Sequence, residues 1–300
     1  MDTIKAQRFG VEIEMTGISR EDASKKLAGL WGTNSTYAGH KTWKTTDTKG
    51  RTWMFERDGS ISSERKVNGQ RMRANDDLST EMVTPILNYE DIELLQDAVR
   101  TLRKAGALVN ESCGIHVHVD AANHNAKSLR NLVNIMASKD DLLYRALQID
   151  HNREYSYAKK VESNLVEQVN RIKPETTEAL ASIWYKGNTT NRYYHYDNSR
   201  YHGLNLHAVW SKGTVEFRLF NSTLHAGEVK AYIQLCLAIS AQAIAQKSAR
   251  PEKTTSTNEK FTFRTWLLRL GLIGDEFDTC RKHLLENLQG DAGHRYANAA

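Results

Sequence analysis

Three short segments far apart in the chain alternate ionisable and apolar residues: Val11-Glu12-Ile13-Glu14-Met15, Ile115-His116-Val117-His118-Val119 and Val215-Glu216-Phe217-Arg218-Leu219. A period of two marks a strand with one face against a core. The backbone rises roughly 3.3 Å per residue, so side chains i and i+2 project together about 6 to 7 Å apart. The outward face of a half-buried strand is usually Thr, Lys or Ser meeting water. Here it is Glu, Glu, His, His, Glu and Arg. Carboxylates and imidazoles gathered in this way mark chemical sites, so the three strands are expected to share one sheet and to present six such groups on one surface.

The intervening segments predict what supports that sheet. Ser19 with Asp22 begins a helix on which Ala23, Leu27 and Leu30 share a face until Gly32. Residues 41–47 and 51–57 read as two strands of a hairpin around Thr48-Lys49-Gly50, with a further turn at Asp58-Gly59. Ser79 to Pro85 is short, β-branched and stopped by proline, a strand presenting Glu81. Amphipathic helices follow over Ile92 to Leu102, closed by Gly106, and over Ser128 to Leu147 with a polar break at Ser138 to Asp140. Residues 184–202 are a loop rich in Tyr, Asn and Arg, expected to lie over the site. A long apolar helix runs from about Gly227 to Gln246, and two shorter ones, near Phe263 to Leu270 and Glu276 to Leu288, precede a loose tail. This order argues for an α+β fold: a curved, mostly antiparallel sheet with helices packed on its apolar outer face and a concave polar face opposite.

Bulk properties narrow the class. With 300 residues, 40% hydrophobic and 26% charged, the chain can bury a large core. Cys113, Cys236 and Cys280 are scattered and odd in number, forming neither a zinc pair nor a disulfide framework, so a reducing cytoplasm is expected. The first residues lack the basic-then-apolar layout of a signal peptide, and no apolar run approaches the roughly 18 residues of a membrane span. The formal charge of +5 and the basic stretch Glu64 to Arg73 read as a solvated loop rather than a nucleic-acid surface.

The acidic residues choose the metal. Motifs for a P-loop, a dinucleotide fold, a zinc protease and an EF-hand are all missing from the sequence. Glu12, Glu14, Glu81 and Glu216 outnumber the histidines, which favours a hard ion, Mg²⁺ or Mn²⁺, over Zn²⁺. Four converging carboxylates repel unless cations lie between them, and Arg218 would then face an anion bridging those cations, a triphosphate being the obvious one.

Four patterns, Phe9-Gly10-Val11-Glu12-Ile13-Glu14, Glu81-Met82-Val83-Thr84-Pro85, Cys113-Gly114-Ile115-His116-Val117-His118-Val119 and Gly213-Thr214-Val215-Glu216-Phe217-Arg218, occur in one order. With Trp53, Asp58-Gly59-Ser60 and the lead-in Arg200-Tyr201-His202-Gly203-Leu204-Asn205, they make residues 8–245 resemble the amidoligase family. That family lies within the glutamine synthetase and glutamate-cysteine ligase superfamily of ATP-dependent carboxylate-amine ligases. The resemblance implies a glutamine synthetase-like catalytic domain. It implies that Glu12, His116 and Glu216 hold one divalent ion beside the nucleotide phosphates and that Glu14 and Glu81 hold another near the acceptor carboxylate. By the same carry-over, His118 and Asn205 lie beside the phosphates, Arg218 steadies the phosphoryl group as a catalytic residue with Glu216, and Asp58, Arg200 and Tyr201 meet substrate. The reaction so implied joins a carboxylate to an amine of an amino acid, peptide or protein tail, through an acyl phosphate, as an amide or isopeptide. Enclosure would protect that intermediate from water, which gives the loop 184–202 a role as lid and amine-side wall.

Residues 1–247 are thus expected to be the catalytic domain and 248–300 a helical extension. Two other readings compete: a cupin-like barrel binding Fe or Zn through His116 and His118, for which residues 119–125 supply only Asp120 and His124, and a non-catalytic binding protein on a ligase fold.

Overall fold

The computed structural model describes residues 3–194 and 196–294. The chain is mixed α and β, with a large, mostly antiparallel sheet. It divides into two compact units. The first comprises residues 8–118 and 220–230, and the second takes in 3–7, 119–219 and 231–294 of the described chain.

The first unit runs β1 (Phe9–Met15), α1 (Arg20–Trp31), β2 (Thr36–Gly39), β3 (Thr42–Thr46), β4 (Thr52–Glu56), β5 (Glu64–Val67), β6 (Gln70–Arg73), β7 (Thr80–Val83), α2 (Ile92–Lys104) and β8 (Gly114–Asp120), whose last two residues belong to the second unit. Its strands lie in the order β2-β3-β4-β7-β1-β8. Helix α1 begins where expected, with the Ser19 side chain accepting from the Asp22 amide, and ends at Gly32 in the left-handed region. It buries Ala23, Leu27 and Trp31, and the Trp31 ring lies 4.9 Å from that of Trp53 on β4. The predicted hairpin is β3–β4, in register Trp43 to Phe55 and Thr45 to Trp53, and Asp47 closes its turn by accepting from the Lys49 and Arg51 amides. Edge strand β2 was not anticipated.

One expectation is overturned here. Glu64 to Arg73 is an exposed two-stranded hairpin, β5–β6, rather than a loop. Asn68 and Gly69 turn it with φ of 48° and 84°, the doubly positive turn whose twist suits a two-residue hairpin. Asn68 and Gly69, whose residue types suit a solvated loop, are here the two-residue turn that brings β5 and β6 together.

The second unit contains α3 (Ala126–Ala146), α4 (His151–Ser156), α5 (Ser163–Ile172), α6 (Thr177–Trp184), β9 (Leu204–Asn205), α7 (His207–Ser211), most of β10 (Thr214–Asn221), most of α8 (Ala226–Ala245), α9 (Glu259–Arg269) and α10 (Asp278–Leu285). Helix α3 is continuous, so the expected break at Ser138 to Asp140 is absent. Its polar residues hold the segment after α8. Asn131 Nδ2 donates to the Ala243 and Gln246 carbonyls at 3.1 and 3.0 Å, Asn134 to Ala249 at 3.0 Å and the Ser138 hydroxyl to Glu252 at 2.7 Å. Lys253 pairs with Asp140. Ser138 and Asp140, which look like a helix break, are here partners of a strap whose half-buried backbone and Lys253 they engage.

The expected loop 184–202 starts on the last residue of α6, Trp184, and its described residues include two 3-10 turns, Thr189–Tyr193 and Asn198–Arg200. The end of the expected loose tail, residues 295–300, lies outside the described residues, as does His195. Cys113, Cys236 and Cys280 are all buried, and none of them is in a disulfide. No helix among the described residues is long and apolar enough to cross a membrane.

Candidate functional site

The first unit gathers its acids around one position. Strand β7 lies between β1 and β4, and its register sets Glu81 opposite Glu14 on one side and opposite Glu56 on the other. Like charges directly opposed across strands are destabilising, and this row has three. Potential ligand atoms of Glu12, Glu81 and His116 all lie within 4.8 Å of one another, and so do those of Glu14, Asp58 and Glu81. Glu81 is common to both groups. Two carboxylates at that separation repel by roughly 3 to 4 kcal/mol at an effective dielectric of about 20. Burial, and then the charges of Glu12, Glu14, Asp58 and Glu56, push the Glu81 carboxyl well above the usual range.

Histidines from β8 interleave with these acids. His116 Nδ1 lies 2.9 Å from Glu12 Oε2 and its Nε2 lies 3.6 Å from Glu14 Oε1, while His118 Nε2 lies 3.2 Å from Glu12 Oε1. Burial alone would raise the Glu12 carboxyl, but His118 and His116 outweigh it and hold it well below the usual value. Glu12 is therefore the anionic member of the cluster and Glu81 the reluctant one. Backbone anchors fix the arrangement: Glu14 Oε2 accepts from the Gly114 amide at 2.5 Å, and the Ser222 hydroxyl donates to the Glu14 carbonyl at 2.6 Å. Asp58 sits in a tight turn, accepting from the Ser60 amide and hydroxyl at 2.6 Å each, and its carbonyl accepts from the Ser79 hydroxyl just before β7.

The second unit holds Glu216, Arg218, Asn205, Arg200 and Tyr201. Strand β9 pairs with β10 so that Asn205 faces Glu216. Asn205 Nδ2 donates to Glu216 Oε2 and Arg218 Nη1 to Glu216 Oε1, both at 2.6 Å, and all three residues are buried. Arg200, Asn205, His207, Lys212, Glu216 and Arg218 line a narrow crevice. Three cationic side chains against one carboxylate suit the oxygens of an anion. Tyr201 is packed edge-on against Tyr157 instead, their rings 6.2 Å apart.

A family model described as "putative amidoligase enzyme" matches residues 5–240. The chain belongs to that family. No curated protein matches it. As an amidoligase-family member it is a ligase-type enzyme, and the cupin-like alternative gives way: the strands are interleaved with helices, and His124 is engaged by the Ser128 and Ser240 hydroxyls at 3.2 and 2.9 Å. Burial depresses the His124 imidazole to about 4.

The donor set of the first unit is of the kind that fits a hard divalent cation. Each ligand group of the first unit is carboxylate-rich with at most one imidazole. Glu81 joins Glu12 and His116 as well as Glu14, and Asp58 supplies the second carboxylate that the Glu81 segment itself lacks. Sequence reasoning missed Glu56, whose placement depends on the β4–β7 register, and missed His207 and Lys212, which enter the crevice through helix α7 and the residue after it.

Proposed function

We propose that the protein is an ATP- and Mg²⁺- or Mn²⁺-dependent carboxylate-amine ligase that forms an amide through an acyl phosphate, on a glutamine synthetase-like catalytic domain spanning residues 1–247 with 248–300 as a helical extension. The observation that carries this reading is the pair of ligand groups sharing Glu81 in a member of the amidoligase family. The divalent ions supply charge neutralisation for the phosphates and for the entering carboxylate. Glu12, Glu81 and His116 would hold one ion and Glu14, Asp58 and Glu81 another, with the Gly114 amide fixing the orientation of Glu14. Glu216 is the remaining proposed ligand, held in one rotamer by Asn205 and Arg218.

Arg218 spreads the negative charge that develops as the γ-phosphoryl group moves to the substrate carboxylate, a task for a preorganised donor in a water-poor site. His118 and Asn205 neighbour the phosphates, and Arg200 and Lys212 extend the cationic wall of the crevice. The amine, in its neutral form, then displaces phosphate, forming the C–N bond as the C–O bond to phosphate breaks, and its proton leaves on the released phosphate.

The test is an ADP-release screen with Mg²⁺ over paired carboxylates and amines, followed by mass spectrometry for a product lighter by one water than its parents. Glu81→Gln should reduce turnover by at least about 100-fold, since even outer-shell partners of metal ligands cost roughly 10- to 100-fold. Turnover equal to the parent's in that variant would refute the metal assignment.

A further inference from the structure

Within the second unit, helices α5 and α6 and the 3-10 turns Thr189–Tyr193 and Asn198–Arg200 line a half-open cavity of about 400 Å³, within the size range of small-ligand sites. Its lining is balanced in charge: Lys159 and Lys186 against Glu162 and Asp197. Asn164, Gln168, Asn191 and Asn198 add amides that can both donate and accept, and Leu165, Ile183 and the buried Trp184 give it an apolar side. A nucleotide triphosphate would meet two carboxylates here with no surplus of cations. A zwitterion would meet a partner for each end.

The wall is rigid where a binding site needs it. Trp184 Nε1 donates to Ser199 Oγ at 2.9 Å, and its ring lies edge-on 5.8 Å from His202. Glu162, which burial alone would raise, is drawn below the ordinary carboxylate range by Lys186 at 3.1 Å and His202 at 3.5 Å, so it stays anionic near neutrality. Asp197 caps the turn at Ser199. The same wall is hydrogen-bonded onto the strand that carries Arg218. Lys159 N donates to the Tyr201 carbonyl at 3.1 Å, Gly203 N to Lys159 at 2.8 Å and Arg218 N to Gly203 at 2.8 Å. A Cβ on Gly203 would collide with the Tyr144 hydroxyl of α3, so the close packing of this stretch against that helix requires glycine.

We infer that this cavity binds the amine substrate, and that this substrate is an α-amino acid or the amino-terminal end of a short peptide, its ammonium facing Glu162 and Asp197 and its carboxylate or carbonyl facing Lys159 and Lys186. The inference rests on the ligase reading for the word substrate, but the binding is testable without turnover.

Saturation-transfer NMR on the full chain without ATP would use glycine, L-alanine, L-glutamate, L-lysine and L-Ala-L-Ala as probes, with acetate and ethylamine as half-probes lacking one charge. At least one zwitterion should bind, and both half-probes should bind at least about tenfold more weakly. Leu165→Trp, which fills the cavity from α5, should abolish that binding. Asp197→Asn keeps a residue able to cap the turn and should weaken it tenfold or more. Binding of none of the probes, or undiminished binding to Leu165→Trp, overturns the assignment. ADP release separates the two readings: amine-dependent release unchanged in Leu165→Trp discards the cavity and leaves the ligase, whereas zwitterion binding with no release for any carboxylate-amine pair keeps the cavity's ligand class and discards the ligase.

Discussion

Arg218 and Glu81 concentrate what single residues contribute. Arg218 lies two positions beyond Glu216 on the same strand face and grips its carboxylate at 2.6 Å. Lys in its place would keep the charge and lose the planar fork, so Arg218→Lys should lower kcat roughly 100- to 1000-fold while changing nucleotide Kd by less than about threefold. Pre-steady-state phosphoryl transfer alongside nucleotide titration would separate the two, and a loss confined to affinity would contradict the charge-spreading role. Glu81 gives a pH signature in metal-free protein. Its carboxyl is raised in the folded state from 4.5, so its favourable contribution is complete below that value and lost as pH rises through the folded value. Glu81→Gln should therefore melt higher than the parent at about pH 7.5 in chelator, by roughly 2 to 4 °C for each kcal/mol relieved, with the difference vanishing near about pH 4. Alternation exposed Glu12, Glu14, His116, His118, Glu216 and Arg218 as a chemical set, because period two needs no tertiary knowledge. Glu56 and the partnership of Asp58 with Glu81 were hidden in strand register and a turn, which only cross-strand pairing reveals.

At the level of elements, helices with well-marked ends were legible and polar stretches were misread. Ser19 and Gly32 delimit α1, and Asn88 with Asp91 forms a capping box ahead of α2. Ser138 and Asp140, expected to break the helix, instead belong to one unbroken α3, and with Asn131 and Asn134 they hold the end of α8 and the strap after it. Asn131 alone serves three backbone groups, since its Oδ1 also accepts from the Ala249 amide at 3.0 Å. Asn131→Ala removes the partner of one buried and two half-buried backbone groups and should cost about 1 to 3 kcal/mol in denaturant unfolding. A loss near zero would mean that water replaces the amide there. The β5–β6 hairpin teaches the converse lesson: Asn68-Gly69 was a turn signal of higher specificity than the charges around it.

For the molecule as a whole, the family match ends at residue 240, yet the chain beyond it is woven into the second unit. Phe263, Leu267, Cys280 and Leu284 are fully buried, Arg145 pairs with Glu259 at 2.6 Å, and Asn287 donates to the Ala146 carbonyl at 3.1 Å. Truncation after residue 247 should lower the melting temperature or cause aggregation by baring that apolar surface, and a truncated chain melting with the parent would contradict this packing. The most direct test of the central claim, that the acids around Glu81 grip divalent cations, is calorimetric titration of Mn²⁺ into the full-length protein and its Glu81→Gln variant. The account predicts binding in the parent and at least about a tenfold weaker affinity in the variant. Equal affinity in the two, or no binding to the parent, would contradict it.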